Sequence, residues 1–529
     1  MEDRKRVLIL LGFFILLFLV IIVRLIDLQV VNRSFYEKKS MEQRTRIINL
    51  AAQRGDIFDR NGELLATSID SYSVYQYRKG WLARKLSLPE ATKLKEKDPK
   101  GVGLIKEKKR IYPKSRLAAQ TLGFVGRDNQ GLSGIELAYD EYLRGKNGKV
   151  ITEGDPAGRE LYGALREIES GSDGMNITLT IDGNIQYVAE RELLKQIKKF
   201  GAKSGMCIVM DIKTGEILAL ASKPDFDPNR YQNSNRRLWH PRFLDPYEPG
   251  STFKIFTVAA GLEDGVINRE TMLRALHSIT VGGKKITNAH REEFPRSRIT
   301  VSKILERSIN TGSVQIGQKL GPKKFYEQLR AFGFGKKTGF GLWGESNGIL
   351  RNWKRWYKPD IGMITFGQSI ATTPLQLLSA MSSFVNDGEM LKPILVKKIE
   401  SFDGKFIKVF VPRDRGRAIS SKVADEMKEL MRNSVVRGTG KRADIKKFGV
   451  CGKTGTAQKA ALGGRGYLKG HYIASFIGFA PYKNPRVAAL VIVDDPSRIG
   501  YWGGQVAGPV FSKVVGFTLR YLNVLPDVL

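Results

Sequence analysis

An uninterrupted apolar run near the N-terminus constrains this chain more than any other feature. The run VLILLGFFILLFLVIIV begins at Val7, and when it is extended through Arg24 to Ile26 it approaches the roughly 20 residues that cross a bilayer as a helix. An arginine at the end of such a helix can reach the membrane interface with its long side chain. We therefore predict a membrane-spanning helix over residues 7–26, preceded by a short cytoplasmic segment over residues 1–6.

The sequence after the apolar run indicates whether this helix is kept. The segment RLIDLQVVNRSFYEKK is bulky and charged and contains no small-residue cleavage site, which favours an uncleaved signal anchor over a removed signal peptide. Arg4, Lys5 and Arg6 precede the run, in agreement with the positive-inside tendency. The bulk of the chain is therefore expected outside the cytoplasm.

The net charge raises the question of a nucleic-acid partner. The chain has 87 Lys and Arg against 53 Asp and Glu, a formal net charge of +34. Binding to phosphates needs clustered cations, but here the basic residues are spread over the whole length and acids lie between them. We therefore expect a solvated basic surface and no nucleic-acid partner. An anionic partner such as a membrane surface or a cell-wall polymer stays open.

Cysteine and histidine usage excludes two classes of protein. The only cysteines are Cys207 and Cys451, which rules out a disulfide-dense scaffold; both lie in apolar runs, and whether they pair is left open. The four histidines show no metal-ligand spacing, so neither a metal nor another cofactor is predicted. They are His240, His277, His290 and His471.

The 529 residues, 42% of them hydrophobic, are enough for two or three domains. The helix of the anchor is expected to continue to about Tyr36. Turn residues at 59–62, within RGDIFDRNGELLATSIDSYSVYQY, separate two β-type runs and predict a hairpin. A Lys/Glu-rich helix is expected over roughly residues 86–109. A polar, Gly-rich stretch over residues 145–173 then places the main domain boundary near Gly174.

Beyond that boundary the pattern changes to strands with intervening helices. NITLTID is a strand that ends at Asp182, a suitable N-cap for the amphipathic helix GNIQYVAERELLKQIKKF. Two β-runs flank the turn at residues 213–215, and two more flank the turn at residues 481–485. This arrangement predicts an α+β domain whose sheet joins strands from both ends of the domain.

The stretch PGSTFK contains the one S-x-x-K pattern of the chain, Ser251 and Lys254. Residues three apart share one face of a helix, so a hydroxyl and an amine would lie side by side as a nucleophile and its base. Alone the pattern is better explained by a helix start at which Ser251 is near the cap and Lys254 is solvated.

Two further patterns favour the catalytic interpretation. Ser308 and Asn310 form an S-x-N, and Lys453, Thr454 and Gly455 form a K-T-G, so the chain carries S-x-x-K, S-x-N and K-T-G in that order. This ordered triple is the signature of active-site serine penicillin-recognising enzymes.

The resemblance extends over almost the whole chain. RGDIFDRNGELLA, RIYP, GLSGIE, TIDGNIQ and PGSTFK resemble the class B penicillin-binding proteins, the membrane-anchored peptidoglycan DD-transpeptidases, and the order of AAQTLGFVG before GLSGIE resembles the division-type septal enzyme. The family implies an α+β transpeptidase fold over residues 174–529, an antiparallel sheet flanked by helices. It also implies an elongated β-rich pedestal, or dimerisation-like, domain over residues 27–173.

The resemblance also implies an acyl-transfer mechanism. Ser251 would attack the carbonyl of the penultimate D-alanine of a stem peptide, with neutral Lys254 as the base and with release of the terminal D-alanine. Burial and the charge of Lys453 would keep Lys254 unprotonated, and Ser308 would relay a proton to the leaving nitrogen. The backbone N–H groups of Ser251 and Thr456 would form the oxyanion hole.

The remaining motif residues are expected to bind the substrate. Asn310 would hydrogen-bond a substrate amide and steady Lys254. Lys453 and Thr454 would bind the terminal carboxylate. Gly455, together with Thr456, would let the substrate backbone lie close to the strand edge.

The family further implies partners and a location. We expect peptidoglycan stem peptides as substrates, β-lactams as covalent inhibitors, and a SEDS-type glycan polymerase and other divisome membrane proteins as partners. The expected location is the bacterial cytoplasmic membrane, with a single span and the catalytic domain on the extracytoplasmic side. The alternatives are an elongation-type transpeptidase, a β-lactam-hydrolysing or sensing protein on the same fold, and a non-enzymatic wall scaffold.

Overall fold

The structure is a computed structural model that describes residues 2–76, 79–97, 102–153, 161, 167–289, 294, 297–461 and 466–527. The chain forms two compact units. Residues Met1–Gln53 and Gly145–Gly174 make up the first, and residues Arg54–Arg144 and Met175–Leu529 make up the second.

The α-helices, in chain order, are α1 (Glu2–Ile26), α2 (Arg33–Arg44), α3 (Leu88–Lys97), α4 (Ala119–Leu122), α5 (Gly134–Ala138), α6 (Asp140–Leu143), α7 (Gly183–Phe200), α8 (Lys254–Glu263), α9 (Val301–Arg307), α10 (Asn310–Ala331), α11 (Asp360–Ile364), α12 (Pro374–Ser382), α13 (Ser421–Val436), α14 (Gly503–Val506) and α15 (Gly508–Tyr521). The strands are β1 (Thr45–Leu50), β2 (Ile57–Phe58), β3 (Leu64–Gln76), β4 (Gly80–Leu86), β5 (Val102–Ile111), β6 (Gly148–Glu153), β7 (Glu167–Glu169), β8 (Asn176–Leu179), β9 (Ser204–Asp211), β10 (Ile217–Lys223), β11 (Met272–Arg274), β12 (Ser278–Val281), β13 (Lys284–Thr287), β14 (Arg298–Thr300), β15 (Glu389–Leu391), β16 (Val396–Glu400), β17 (Ile407–Val409), β18 (Asp414–Arg417), β19 (Cys451–Ala460), β20 (Tyr467–Ala480) and β21 (Val487–Asp494).

The first unit contains the apolar N-terminal helix. Helix α1 continues into a π-helical turn, and the combined helix Glu2–Val31 is by length and composition able to cross a membrane. None of the side chains of α1 is buried in the protein, as expected for a helix whose apolar surface is covered by lipid. Helix α2 follows after Asn32, and strands β1, β6 and β7 form a three-stranded sheet.

The division into units differs from the sequence-based boundary near Gly174. Residues 54–144, which the sequence assigns to the pedestal, lie in the same compact unit as residues 175–529. The reason is a shared sheet: Ile57 of β2 pairs with Ile177 of β8 in parallel, and β8 pairs in turn with β16. The predicted hairpin around residues 59–62 is confirmed as β2 and β3.

The predicted helix over residues 86–109 is wrong in its second half. Helix α3 ends at Lys97, and β5 is a strand that pairs with β3. Lys106 and Lys108 both bind Asp70 of β3, each at 2.8 Å. A Lys/Glu-rich sequence therefore forms a strand here because all ten of its residues pair with β3, a long-range partner that local propensity does not include.

Three of the quoted motifs meet in a buried ion-pair network. Glu136, from GLSGIE, accepts hydrogen bonds at 2.7 Å from Arg54 of RGDIF and from Arg110 of RIYP. Arg54 also donates to Asp140 at 2.6 Å. Although burial opposes it, the two guanidinium groups lower the pKa of Glu136. These motifs are thus joined by charge pairs inside the protein, where each charge needs its partner.

A five-stranded antiparallel sheet, in the order β10-β9-β21-β20-β19, forms the centre of the second unit. Its strands are buried on both faces, and alternate residues serve two cores: Cys207 and Val209 pack with α7 and α15, and Ile208 and Met210 pack with α8. The predicted hairpins β9–β10 and β20–β21 are confirmed, and Asp182 caps α7 by accepting from two backbone N–H groups. The α+β fold is confirmed.

Candidate active site

The candidate nucleophile lies in a tight turn before α8. Residues Gly250–Phe253 form a 3-10 turn that leads directly into α8, so Ser251 precedes the helix by three residues. Gly250 has a φ of +59°, a conformation that residues with a Cβ rarely adopt. The Thr252 hydroxyl donates to the carbonyl of Pro249 at 2.8 Å and closes the turn. The serine is thereby held in a fixed position with its side chain partly exposed.

Lys254 begins α8 and is fully buried. Its Nζ donates to the carbonyl oxygen of Ser308 at 2.5 Å and to the Ser308 hydroxyl at 3.1 Å. Burial, and secondarily the charge of Lys453, holds the pKa of Lys254 well below its usual value. The amine is therefore unprotonated under conditions in which an exposed lysine is a cation.

The joint between α9 and α10 carries the second motif. Ser308 ends α9 in the left-handed region, with φ 60°, and Asn310 begins α10. The Asn310 amide donates to the carbonyl oxygen of Thr287 on β13 at 2.8 Å. The turn directs Ser308 to Lys254, and Asn310 is held by a neighbouring strand.

Strand β19 carries the third motif. Lys453 is fully buried, and its Nζ donates to the carbonyl oxygen of Thr454 at 3.1 Å. Burial lowers the pKa of Lys453 to about 7. The hydroxyl of Thr454 contacts that of Thr439 at 2.6 Å. The lysine is thus poised between its two protonation states near neutral pH.

The serine turn runs alongside β19. A Cβ added to Gly455 would lie 2.8 Å from Thr252 Cγ2, and one added to Gly250 would lie 2.8 Å from the Cβ of Ala457. The turn and the strand therefore approach each other at two points, Gly250 with Ala457 and Thr252 with Gly455. Ser251 and Thr456 lie between these two points and are placed opposite each other. Strand β19 pairs only with β20 and leaves its other edge without a strand partner in the described sheet.

Two cavities meet at Ser251. One, of about 420 Å³, is lined by Ser251, Asn310 and Thr456 together with β13 and five aromatic residues. The other, of about 410 Å³, is lined by Ser251, Ser308, Thr454 and Thr456. The aromatic residues are Phe366, Tyr467, Tyr472, Tyr501 and Trp502. A substrate can therefore approach the serine along β19 from both directions.

The structure brings the predicted site residues to one cleft, but two of the predicted contacts are not formed. Lys254 hydrogen-bonds Ser308, whereas no hydrogen bond among the described residues joins Lys254 to Ser251 or to Asn310. Gly455 admits the turn of Ser251 against the strand, and the approach of substrate backbone to Gly455 stays a prediction.

Several lining residues escaped the sequence analysis. Thr439 and the cations Lys441 and Arg442 line the second cavity. The adjacent Tyr501 and Trp502 line the first, where Tyr501 stacks on Tyr472 with ring centroids 4.1 Å apart. The available signals were the RGTG at residues 437–440 and the YW pair near the C-terminus.

Comparisons with known proteins agree with this geometry. The family model described as penicillin binding protein transpeptidase domain matches residues 205–516, and the model described as penicillin-binding protein dimerisation domain matches residues 73–179. The fold and the cleft together thus define a transpeptidase domain of the penicillin-binding type.

Similar proteins cover nearly the whole chain. Stage V sporulation protein D of Bacillus subtilis is 33% identical over 99% of this chain and 86% of its own. The probable peptidoglycan D,D-transpeptidase PbpC of Pseudomonas aeruginosa is 31% identical over 97% and 94%. The crystal structure of penicillin binding protein 3 from Mycobacterium tuberculosis in complex with aztreonam has a TM-score of 0.75 at 28% identity, over 91% of this chain and 99% of that one. The chain belongs to the class B penicillin-binding proteins, a family of peptidoglycan D,D-transpeptidases.

Proposed function

We propose that the chain cross-links peptidoglycan through an acyl-enzyme on Ser251. The Ser251 hydroxyl attacks the carbonyl carbon of the penultimate D-alanine and passes its proton to Lys254. The C–N bond then breaks, the leaving nitrogen takes up a proton relayed by Ser308, and D-alanine departs. The amine of a second stem peptide attacks the ester, loses its proton to Lys254 and restores the serine.

The neutral, buried amine of Lys254 carries this proposal. A serine hydroxyl is a weak nucleophile at neutral pH, and a lysine can act as its base only when the lysine is unprotonated. Lys254 is fully buried, is hydrogen-bonded to oxygen atoms and lies within the field of Lys453. The N–H groups of Ser251 and Thr456, placed opposite each other, would receive the developing oxyanion.

Four residues are assigned to the substrate carboxylate. The hydroxyl of Thr454 and the amine of Lys453 lie at the strand end, and Lys441 and Arg442 are exposed cations that line the same cavity. An anion entering the cavity would raise the pKa of Lys453 and complete the charge pair. Asn310 is assigned to a substrate amide, since it lines the adjoining cavity.

β-Lactams would acylate the same serine. The solved structures similar to this chain include penicillin binding protein 3 in complex with aztreonam and with ampicillin. The test is the mass of the purified chain after exposure to ampicillin. We expect one adduct, located on Ser251 by peptide mapping and absent from Ser251→Ala. A wild-type chain without an adduct would contradict the proposal, and release of the adduct within seconds would favour the β-lactam-hydrolysing alternative.

We further assign the enzyme to septal wall synthesis, with α1 as a single-pass anchor in the bacterial cytoplasmic membrane and the second unit on its outer side. The order of AAQTLGFVG and GLSGIE supports the septal role, and the exposed apolar helix supports the anchor. A SEDS-type polymerase and other divisome proteins would be its membrane partners. Depletion should give filamentous cells, and the polymerase should co-purify with the chain from undepleted cells. Round, swollen cells would favour the elongation-type alternative.

A further inference from the structure

A cavity of about 540 Å³ outside the catalytic cleft has an unusual lining. It lies in the second unit, between β4, β5, the loop at residues 125–127 and the turn at residues 228–232. Five of its 15 lining residues are cations, and none of the described lining residues is an acid. The cations are Arg84, Lys85, Lys109, Arg110 and Arg127. Such a lining favours an anionic ligand.

Nearby acids neutralise only part of this charge. Arg84 pairs with Glu107 and Asp128, and Arg110 pairs with Glu136. Lys109 and Arg127 are exposed and form no ion pair among the described residues. The cavity therefore keeps at least two unpaired positive charges at its rim.

Arg110, which is buried, and Lys85, which is half-buried, add hydrogen-bond donors to the lining. Arg110 is only 5% exposed, and its Nη2 is buried without a hydrogen-bond partner. Lys85, whose backbone has a φ of 58°, donates to the Asn129 side chain at 2.6 Å, and burial lowers its pKa to about 8. A buried donor without a partner is costly, and a bound anion would remove part of that cost.

Aromatic rings complete the lining. Trp81 is 46% exposed, with the Arg84 guanidinium 4.8 Å from its ring centroid. Tyr231 is partly exposed and stacks on Phe124 with centroids 4.2 Å apart. Rings fixed in this way present flat apolar faces, on which the C–H faces of sugar rings can pack.

We propose that this cavity is a second, non-catalytic binding site for peptidoglycan, which takes the sugar rings of a glycan strand on Trp81 and Tyr231 and its peptide carboxylates on Lys109, Arg127 and Lys85. The choice of polymer rests on the proposed function, since the enzyme acts on the stem peptides of the same strands. The site would hold a strand on the enzyme while its stem peptide enters the cleft at Ser251.

The test measures binding of muramidase-released disaccharide-tripeptide to the full, detergent-solubilised chain by isothermal titration calorimetry. This fragment lacks D-alanine, so it does not test the acylation chemistry. We expect saturable binding that weakens with salt. Lys109→Ala/Arg127→Ala should weaken it about tenfold or more, and Trp81→Ala should weaken it several-fold.

The matched control is Lys93→Ala/Lys95→Ala, which removes two exposed cations from α3 of the same unit. It should bind the fragment like the wild type. All variants should keep penicillin labelling of Ser251, so a failure of this proposal is distinguishable from a failure of the proposed function. Unchanged binding by both cavity variants would overturn the proposal. Equal competition by inorganic phosphate, with Trp81→Ala unaffected, would also overturn it in favour of a simple anion site.

Discussion

Lys254 Nζ lies 3.1 Å from Ser308 Oγ and 2.5 Å from the Ser308 carbonyl oxygen, so the S-x-x-K lysine is held by the S-x-N serine. No carboxylate of the described residues pairs with Lys254. A fully buried amine with only neutral oxygen partners is stabilised in its unprotonated form. In the proposed mechanism, Ser308 would both hold the base in place and relay its proton.

Removal of either partner should slow acylation. We expect Lys254→Ala to reduce the rate of labelling by a fluorescent penicillin about 10²–10⁴-fold, the usual contribution of a general base. Ser308→Ala should have a smaller effect, since the backbone carbonyl still holds the amine. Ser302→Ala on α9, whose hydroxyl contacts Glu306 at 2.8 Å, is the matched control and should label normally. Normal labelling of Lys254→Ala would exclude Lys254 as the base.

Acylation should depend on pH through Lys254. Because its pKa lies well below 10.5, the rate should be constant at high pH and fall as the amine takes up a proton at lower pH. Lys453→Met removes a charge that lowers this pKa, so the falling limb should move to higher pH. Rates of penicillin labelling between about pH 5 and 9 measure both effects. A limb that moves to lower pH in Lys453→Met would contradict the assignment.

Lys453→Met should also raise the free energy of unfolding. In the unfolded chain Lys453 keeps its proton up to about pH 10.5, whereas the folded chain releases it near pH 7, so the unfolded state binds more protons in this window. The unfolding free energy of the wild type should therefore rise with pH from 7 to 10.5. Lys453→Met should remove this contribution and add up to about 4 kcal/mol at neutral pH, since one pKa unit corresponds to about 1.4 kcal/mol. Denaturant titrations at several pH values check this, and a destabilised variant would contradict it.

Loss of the buried carboxylate of Glu136 should lower the free energy of unfolding. Glu136→Gln leaves Arg54 and Arg110 without their shared partner and should cost about 3–5 kcal/mol of unfolding free energy. Asp70→Asn is the matched control, because Asp70 also binds two cations but is exposed, and it should change stability little. Equal effects of the two variants in thermal unfolding would show that burial of the network does not matter.

Lys441 and Arg442, the exposed cations of the second cavity at Ser251, should increase the rate at which anionic substrates acylate the enzyme. We expect Lys441→Ala/Arg442→Ala to lower the second-order rate of acylation by ampicillin about tenfold at low salt and less at high salt. Lys319→Ala/Lys323→Ala, two exposed cations on α10, is the control. Equal rates in both double variants would remove Lys441 and Arg442 from carboxylate recognition.

The sequence predicted those features that depend on local pattern. Local patterns predicted the hairpins of the central sheet, the Asp182 cap and the apolar helix. The three motifs predicted the residues that meet at the cleft. Partners distant in the chain were missed. The Lys/Glu-rich segment of β5 becomes a strand because it pairs with β3 over its whole length, and Lys441 lines the cleft because the chain after α13 passes Thr454. Such contacts are set by tertiary packing.

The two cysteines have a practical consequence. Cys207 lies on β9 and Cys451 on β19, with two strands between them in the central sheet, and both are free and buried. Burial raises the pKa of Cys207 to about 12 and that of Cys451 still further. Thiols of this kind are inert to maleimides in the native state. The unaltered chain is therefore a ready background for spectroscopy, in which one surface cysteine introduced by mutation carries a dye or spin label at a single known position.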